Sequence, residues 1–250
     1  MKFLREIPRY LHFIGIGGAG MSSIARFLLL RGFKVSGSDL NYNEECKKLE
    51  NLGALIFKDQ SKSNLQNVGL VIVSSAIKDS NEELIEARKL GITILKRAQM
   101  LFELMRYKKS IAVCGTHGKS TSTAMLYHIY QSLTLDPSVV NGANILGYNY
   151  SSNYGKGESF IFEADESDGS FSFYHPYRIL LTNMEADHLE NYNNEFSKMV
   201  DSYINFINQS PYYNKVIINS DIENYQNIVS RLNSKVISFG FSKDATYYIS

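Results

Sequence analysis

The 250-residue chain lacks the features of a secreted, membrane-spanning or nucleic-acid-binding protein. Its only cysteines, Cys46 and Cys114, lie far apart, which argues against a disulfide scaffold and is typical of a reducing compartment. No run of about 18 apolar residues is present, and Arg5, Glu6 and Arg9 interrupt the apolar N-terminus, so neither a transmembrane helix nor a signal peptide is predicted. Lys and Arg number 26 against 25 Asp and Glu, so nothing favours a nucleic-acid partner or an anionic membrane. We expect a soluble, cytoplasmic, globular protein.

Strand-like and helix-like segments alternate along the chain. The strand-like runs include "FKVSGSD", "ALIF", "GLVIVSS" and "ITIL" in the first half, and "SFIFEA", "RILLTN", "KVIIN" and "KVISFG" in the second. Continuous Val, Ile and Leu runs that alternate with amphipathic helices predict an α/β fold with a parallel sheet covered on both faces. The pattern restarts after "RYKKS" without a Pro- or Gly-rich linker. We therefore expect a Rossmann-like domain over residues 1–107 and a second α/β domain, of P-loop type, over residues 108–250.

The first glycine-rich motif, "GIGGAG", lies between the strand-like Tyr10–Ile16 and the helix-like Met21–Arg31. This context, with Asp39 at the distance of a ribose-binding acid, matches the dinucleotide fingerprint and favours NAD. A bulky residue in place of Gly17 is expected to block the close approach of a diphosphate to the backbone. From the residues alone, the motif predicts a phosphate-binding turn.

A second glycine-rich motif, "GTHGKST", follows the buried-looking strand Ile111–Val113 and precedes a helix that begins near Lys119. Such a loop directs backbone N–H groups at phosphate oxygens, while its lysine neutralises phosphate charge and its hydroxyl ligates Mg²⁺. The loop is not a strict Walker A motif, because the first glycine of that pattern would fall at Val113. The alternative is a glycine-rich turn with a solvated lysine.

Two polar clusters follow strands of the second half, where side chains can project into a crevice at the carboxyl end of a sheet. The first contains Glu163, Asp165, Glu166 and Asp168, and the second contains Asn183, Glu185, Asp187 and His188. Each cluster alone is more often a solvated acidic loop. Beside a phosphate loop, however, such carboxylates and an imidazole can hold divalent metal at a triphosphate.

Taken together, these motifs resemble those of the Mur ligase family. The matching stretches are "HFIGIGGAGMS", "SGSD", "SSAI" and "RAQML" in the first half, and "GTHGKST", "EADESDGSF" and "TNMEADHLENY" in the second. The resemblance covers nearly the whole chain, and "GIGGAGMS" is typical of the family members that add L-alanine. In this family the first glycine loop binds the diphosphate of a UDP-sugar rather than NAD.

The resemblance implies a role for particular residues. The ATP site would comprise Gly115, Thr116, His117, Gly118, Lys119, Ser120 and Thr121. The UDP-sugar site would comprise Gly15, Gly17, Gly18, Ala19, Gly20, Asp39 and Ser75, with Asn183 at the substrate end. Mg²⁺ would be held by Ser120, where the family usually has Thr, and by Glu163 and His188. The catalytic residues would be Lys119, Glu163 and His188.

The implied reaction joins L-alanine to UDP-N-acetylmuramate in peptidoglycan precursor synthesis. A substrate carboxylate attacks the γ-phosphate of ATP, and the alanine amine then attacks the resulting acyl phosphate. Because a carboxylate and a triphosphate repel each other, the reaction needs Mg²⁺ and a lysine. The implied partners are these small-molecule substrates, with no nucleic acid and no membrane insertion.

The family pattern continues with an H-N-x-x-N motif and a third domain, and neither has a counterpart in this sequence, whose last family-like stretch is Ile218–Asn224. We therefore expect a fragment with little or no ligase activity alone. One alternative is a non-catalytic remnant that binds a UDP-sugar and a nucleotide. A further alternative is an NAD-dependent oxidoreductase, which would leave "GTHGKST" unexplained.

Overall fold

The computed structural model describes residues 7–165, 170–187, 189–211 and 213–249. The chain forms two compact units, of which the first comprises Met1–Tyr107 and Val139–Gly155, and the second comprises Lys108–Ser138 and Lys156–Ser250. The sequence-based division also separates the chain after Tyr107, but it places Val139–Gly155 in the second domain. In the structure this stretch packs with the first unit.

The first unit is a five-stranded parallel sheet with the strand order β3-β2-β1-β4-β5. Its elements are β1 (Tyr10–Ile14), α1 (Ala19–Leu30), β2 (Lys34–Ser38), α2 (Glu44–Asn51), β3 (Leu55–Phe57), β4 (Leu70–Val73), α3 (Glu82–Lys89), β5 (Thr93–Lys96) and α4 (Arg97–Met105). The central strands are buried on both faces, as the continuous apolar runs predict. Asparagine side chains cap α2 and α3, since Asn43 accepts from Cys46 N and Asn81 accepts from Leu84 N.

An antiparallel hairpin that the sequence analysis did not predict completes the first unit. It consists of β7 (Ser138–Ile145) and β8 (Tyr150–Asn153). It packs against α1: the hydroxyl oxygens of Ser23 and Ser151 lie 2.6 Å apart, and Arg26 Nε donates to Ser152 O at 2.9 Å. The Ser152 hydroxyl in turn donates to Ser23 O at 2.7 Å. These reciprocal bonds explain why residues distant in sequence belong to one unit.

A buried polar network connects α3 to the sheet of the first unit. Glu83 is fully buried and accepts hydrogen bonds from the Ser38 hydroxyl at 2.5 Å and from Asn64 Nδ2 at 2.8 Å. His12 Nε2 lies 3.3 Å from Glu83 Oε1, a close contact that lacks hydrogen-bond geometry, and His12 Nδ1 lies 2.9 Å from the Ser36 hydroxyl. The network connects two strands and a helix at a buried place, where an unpaired polar group is costly.

The strands of the second unit that pair in parallel run in the order β13-β12-β11-β10-β6-β9. The elements of this unit are β6 (Lys109–Cys114), α5 (Lys119–Ser132), β9 (Ser159–Glu163), β10 (Arg178–Leu181), α6 (Phe196–Asn208), β11 (Lys215–Asn219), α7 (Tyr225–Ser230), β12 (Lys235–Gly240) and β13 (Tyr247–Tyr248). The predicted α/β class with a parallel sheet is confirmed. Among the described residues, no helix is both long and apolar enough to cross a bilayer.

We expect Glu83→Ala to lower the free energy of unfolding by about 3–5 kcal/mol, because it leaves the buried donors facing Glu83 without an acceptor. Urea denaturation of the purified chain measures this change. Glu82→Ala is the matched control, since Glu82 is an exposed carboxylate in the same helical turn. Equal losses from the two substitutions would contradict a stabilising role for the network.

Candidate functional site

The first glycine loop connects β1 to α1 and leaves the start of the helix open. Gly15 N and Ile16 N donate to Ser38 O at 2.8 and 3.1 Å, so β2 holds the beginning of the loop. Gly18 is the N-cap of α1, no side chain caps the helix, and its first turn contains no acidic residue. The first N–H groups of a helix have no acceptor within it, so this end of α1 is suited to an anion.

The side chain of Asp39 holds the middle of the same loop. Asp39 Oδ2 accepts from Gly17 N at 2.8 Å, and Oδ1 accepts from Asn41 N at 2.9 Å. Asn43 Nδ2 donates to Gly17 O at 2.9 Å. Both carboxylate oxygens of Asp39 therefore accept from backbone N–H groups, and each keeps a lone pair that could accept from a ligand.

A reason for glycine at position 17 also lies within the protein, while the expected close approach of a diphosphate stays a prediction. A Cβ atom there would lie 3.0 Å from Asp39 Oδ2, 3.0 Å from Cys46 Sγ and 3.1 Å from Asn43 Nδ2. Close packing against the β2–α2 connection therefore favours glycine at this position even without a ligand. Burial raises the pKa of the Cys46 thiol, which keeps this neighbour of the loop neutral.

Sequence reasoning missed Arg97 beside this loop, although it quoted the "RAQML" motif. A Cβ atom at Gly20 would lie 3.0 Å from Arg97 Cδ and Nη1, so the guanidinium group borders the first turn of α1. Arg97 begins α4 directly after β5, and Ser75 follows β4 as an exposed residue. The sheet order brings these strand ends to one edge, where a cation and a helix N-terminus both favour an anion.

The second glycine loop connects β6 to α5 and has a similar form. Gly118 caps α5 in a left-handed conformation, with φ of 76°, and no side chain caps the helix. Gly115 permits a close approach of strands, because a Cβ atom there would lie 2.2 Å from Thr182 Oγ1. Lys119 Nζ donates to the carbonyl oxygens of Gly115 and Thr116 at 2.7 and 3.1 Å, so the ammonium group lies on the loop.

The residues after β10 contact this loop directly. Asn183 Oδ1 accepts from Thr116 Oγ1 and from His117 N, both at 2.8 Å, and the Thr182 hydroxyl donates to His117 O at 2.9 Å. The resemblance implied that the backbone of Thr116 and His117 surrounds the phosphates and that Asn183 lines the substrate end, and both stay predictions. In the structure these three residues hydrogen-bond to one another.

A hydroxyl and a carboxylate meet where α5 begins. The Ser120 hydroxyl donates to Glu163 Oε2 at 2.8 Å, which joins the first turn of α5 to the end of β9. Mg²⁺ prefers oxygen ligands and is typically held by one or two protein groups together with substrate phosphates, so this pair fits Mg²⁺ bound to a nucleotide. No cluster of three or more His, Cys, Asp or Glu side chains suited to a metal is found in the described part of the chain. His188, Glu166 and Asp168 lie outside the described residues.

His117 carries acidic neighbours at the exposed side of the loop. Its Nε2 atom lies 3.7 Å from both Glu185 Oε2 and Asp187 Oδ2, and all three side chains are about half exposed or more. Exposed ion pairs of this length contribute little stability. These carboxylates instead affect the charge that a ligand meets when it approaches this side of the loop.

Each of the two glycine loops lies within a stretch that matches a known family model. Residues 10–109 match the family model described as Mur ligase family, catalytic domain, and residues 113–250 match the Mur ligase middle domain. The chain belongs to the Mur ligase family. The resemblance found in its motifs is confirmed.

Individual relatives show how much of such a protein is present. The chain is 45% identical to a UDP-N-acetylmuramate–L-alanine ligase of Buchnera aphidicola subsp. Acyrthosiphon pisum (strain Tuc7), over 94% of this chain and 49% of the relative. The structure of a UDP-N-acetylmuramate–alanine ligase from Thermotoga maritima is 32% identical, with a TM-score of 0.81 over 95% of this chain and 53% of the other. A Neisseria UDP-N-acetylmuramate:L-alanyl-γ-D-glutamyl-meso-diaminopimelate ligase, 22% identical, shares the fold with a TM-score of 0.85, over 94% of this chain and 79% of that chain. The chain spans about half the length of the curated relatives it matches.

Gly17→Ala and Gly18→Ala form a matched pair that tests the packing of the first loop. We expect Gly17→Ala to cost about 1–3 kcal/mol of stability, because its Cβ atom would overpack against Asp39 and Cys46. At Gly18, with φ of −66°, a Cβ atom meets nothing closer than 3.7 Å. There the gain in backbone entropy offsets the poorer cap, so the change should stay within about 0.5 kcal/mol. Thermal unfolding measures both, and a larger loss for Gly18→Ala would contradict the geometry.

Proposed function

We propose that this chain provides the UDP-sugar and ATP sites of a UDP-N-acetylmuramate–L-alanine ligase. The observation that carries the proposal is the Ser120–Glu163 oxygen pair beside the uncapped N-terminus of α5, with Lys119 on the same loop. This arrangement combines a cation, helix N–H groups and hard oxygen ligands, which a Mg²⁺-bound triphosphate requires. The identity of the acceptor substrate rests on the relatives that carry this name.

In the proposed ATP site, Lys119 would contact the phosphates directly. Its ammonium group would exchange the carbonyl oxygens of Gly115 and Thr116 for phosphate oxygens, which it binds more strongly because they are charged. The N–H groups of Gly118, Lys119, Ser120 and Thr121 would supply the remaining contacts. The loop thereby neutralises charge that would otherwise repel the substrate carboxylate.

Ser120 and Glu163 would hold Mg²⁺ through their oxygen atoms, and His188 joins them as an expectation from the family pattern. When bound, Mg²⁺ neutralises phosphate charge and orients the phosphate oxygens. His188 would have to be neutral to act as a ligand. Glu163 is positioned for this role by β9, whose last residue it is.

In the proposed UDP-sugar site, the diphosphate would lie against the start of α1, at Gly18, Ala19 and Gly20, with Arg97 as an additional cation. Ser75 remains a proposed contact at the end of β4. Gly15, Gly17 and Asp39 serve the site indirectly, because they hold the loop in shape. The NAD-dependent alternative would leave the second glycine loop unexplained.

The proposed reaction forms an amide in two steps. A carboxylate oxygen of UDP-N-acetylmuramate bonds to the γ-phosphorus of ATP as the bond to ADP breaks. The nitrogen of L-alanine then bonds to the acyl carbon, and phosphate leaves. Lys119 and Glu163 would act in the first step, one through its own charge and the other as a metal ligand. Such a reaction belongs to the cytoplasm, and the two buried cysteines, neither of which forms a disulfide, are consistent with that compartment.

We expect Lys119→Ala and Ser120→Ala each to weaken Mg·ATP binding about tenfold or more without unfolding the protein, because each removes a charged or charge-assisted contact to the ligand. Calorimetric or NMR titration measures binding, and thermal unfolding without nucleotide measures stability. Ser132→Ala is the matched control for Ser120, since Ser132 lies exposed at the other end of α5. A large loss of stability in the absence of nucleotide would point to a structural role for the loop.

The 250 residues alone are expected to bind UDP-N-acetylmuramate, to bind ATP weakly at best, and to form no measurable UDP-N-acetylmuramoyl-L-alanine. Because the matched relatives are about twice as long, we expect the second half of such a relative, fused or added in trans, to restore amide formation. The restored activity should be lost with Glu163→Ala or His188→Ala. Robust ligation by the 250 residues alone, or a restored enzyme indifferent to both substitutions, would refute this prediction.

A further inference from the structure

The segment after β10 forms a clamp on the phosphate loop. Leu181 pairs with Cys114 in the parallel sheet, so residues 182–185 run beside residues 115–117. Thr182 N donates to Cys114 O at 3.0 Å, and the single hydroxyl hydrogen of Thr182 is shared between Cys114 O at 3.1 Å and His117 O at 2.9 Å. Together with the bonds of Asn183 and Thr182 to Thr116 and His117, these contacts hold the loop along most of its length.

The clamp occupies two hydrogen-bond donors of the phosphate loop that could otherwise bind a ligand. The His117 N–H donates to Asn183 Oδ1 at 2.8 Å. The Thr116 hydroxyl donates to the same oxygen at 2.8 Å and accepts from Glu185 N at 3.1 Å. A hydroxyl has one hydrogen to donate, so neither group has a donor left for a ligand.

The donors that remain belong to the start of α5. The N–H groups of its first turn have no acceptor within the helix. With Thr116 and His117 tied to β10, the loop can turn directly into the helix, and these N–H groups all point the same way. Asn183 therefore determines which loop donors a phosphate meets, although its own Oδ1 atom points at the protein.

The charge of the clamping side chain matters as well as its shape. In the first unit the corresponding bond to a loop N–H is made by a carboxylate, Asp39, whereas here an amide oxygen makes it. An aspartate at position 183 would accept the same two hydrogen bonds. It would also place a negative charge beside a loop meant for a triphosphate, and like charges repel strongly in a partly buried site.

We propose that Asn183 is a positioning residue of the phosphate loop, whose neutral side-chain oxygen binds Thr116 and His117 and so directs the N–H groups of α5 at the phosphates of ATP. This inference rests on the proposed ATP-binding function. It replaces the expectation that Asn183 contacts the other substrate.

The test uses the full 250-residue chain with two variants of this residue. In Asn183→Ala, we expect the His117 amide to exchange its hydrogen about tenfold faster and Mg·ATP to bind about tenfold more weakly, because one hydrogen bond to each loop group is lost. In Asn183→Asp, exchange should remain slow because both bonds are retained, while Mg·ATP binding still falls about tenfold or more through repulsion. Residue-level hydrogen exchange by NMR and titration with Mg·ATP measure the two effects.

Two further variants control the test. Asn214→Ala removes an asparagine that donates to Tyr177 O at the other end of β10, and it should leave His117 exchange unchanged. If Asn183→Ala does not fold, Thr116→Val removes one of the two bonds with little change of shape, and His117 exchange should rise less steeply.

The outcomes separate this inference from the function on which it rests. Unchanged His117 exchange in Asn183→Ala would overturn the clamp, and so would loss of Mg·ATP binding with unchanged exchange, which would indicate direct contact with ligand. Full Mg·ATP binding by Asn183→Asp would overturn the requirement for a neutral side chain. Exchange that follows the expected pattern, with no Mg·ATP binding even in the unsubstituted chain, would support the clamp and overturn the ATP-binding function.

Discussion

Both units depend on one constraint. Where the chain leaves a central parallel strand and turns into a helix, the backbone N–H groups of the turn need acceptors. In each unit an oxygen from the end of the neighbouring strand solves this problem: Asp39 binds Gly17 N, and Asn183 binds His117 N. The N–H groups that remain are those of the helix start. The fold therefore divides loop donors into those that maintain the turn and those that face solvent, where an anion can bind.

Much of this architecture is predictable from the sequence, because hydrophobic period and glycine spacing are local properties. They placed the strands and helices on either side of both loops, and the "GTHGKST" motif identified Lys119 and Ser120 correctly as neighbours of a helix start. What the motifs could not give is the partner of each residue across the sheet. Spacing and the family resemblance assigned Asp39 and Asn183 to ligands, whereas their bonds to Gly17 N and His117 N depend on a neighbouring strand. The close neighbours of Gly17 likewise belong to the next strand–helix connection.

The features that escaped prediction altogether depend on long-range partners. The β7–β8 hairpin is rich in Asn, Ser, Gly and Tyr and has no clear hydrophobic period, so its strands depend on partners distant in sequence, among them α1. His12 is not predictable either, since a histidine within an apolar strand carries no signal of its own. Its environment is created by Ser36 and by Glu83, which topology brings to the same buried place.

The first unit is formed by two separate stretches of the chain, and this affects the order in which the protein folds. Ser23 and Ser151 are separated by 128 positions, so α1 obtains its covering hairpin only after the ribosome has made the first strand and helix of the second unit. Closing so long a loop is entropically costly and slow. Cleavage or expression limited to residues 1–107 would leave the Ser23, Arg26 and Phe27 surface of α1 uncovered, with exposed apolar area available for misassembly. Since the chain passes from the first unit to the second, back to the first and again to the second, a single cut of the backbone cannot separate them.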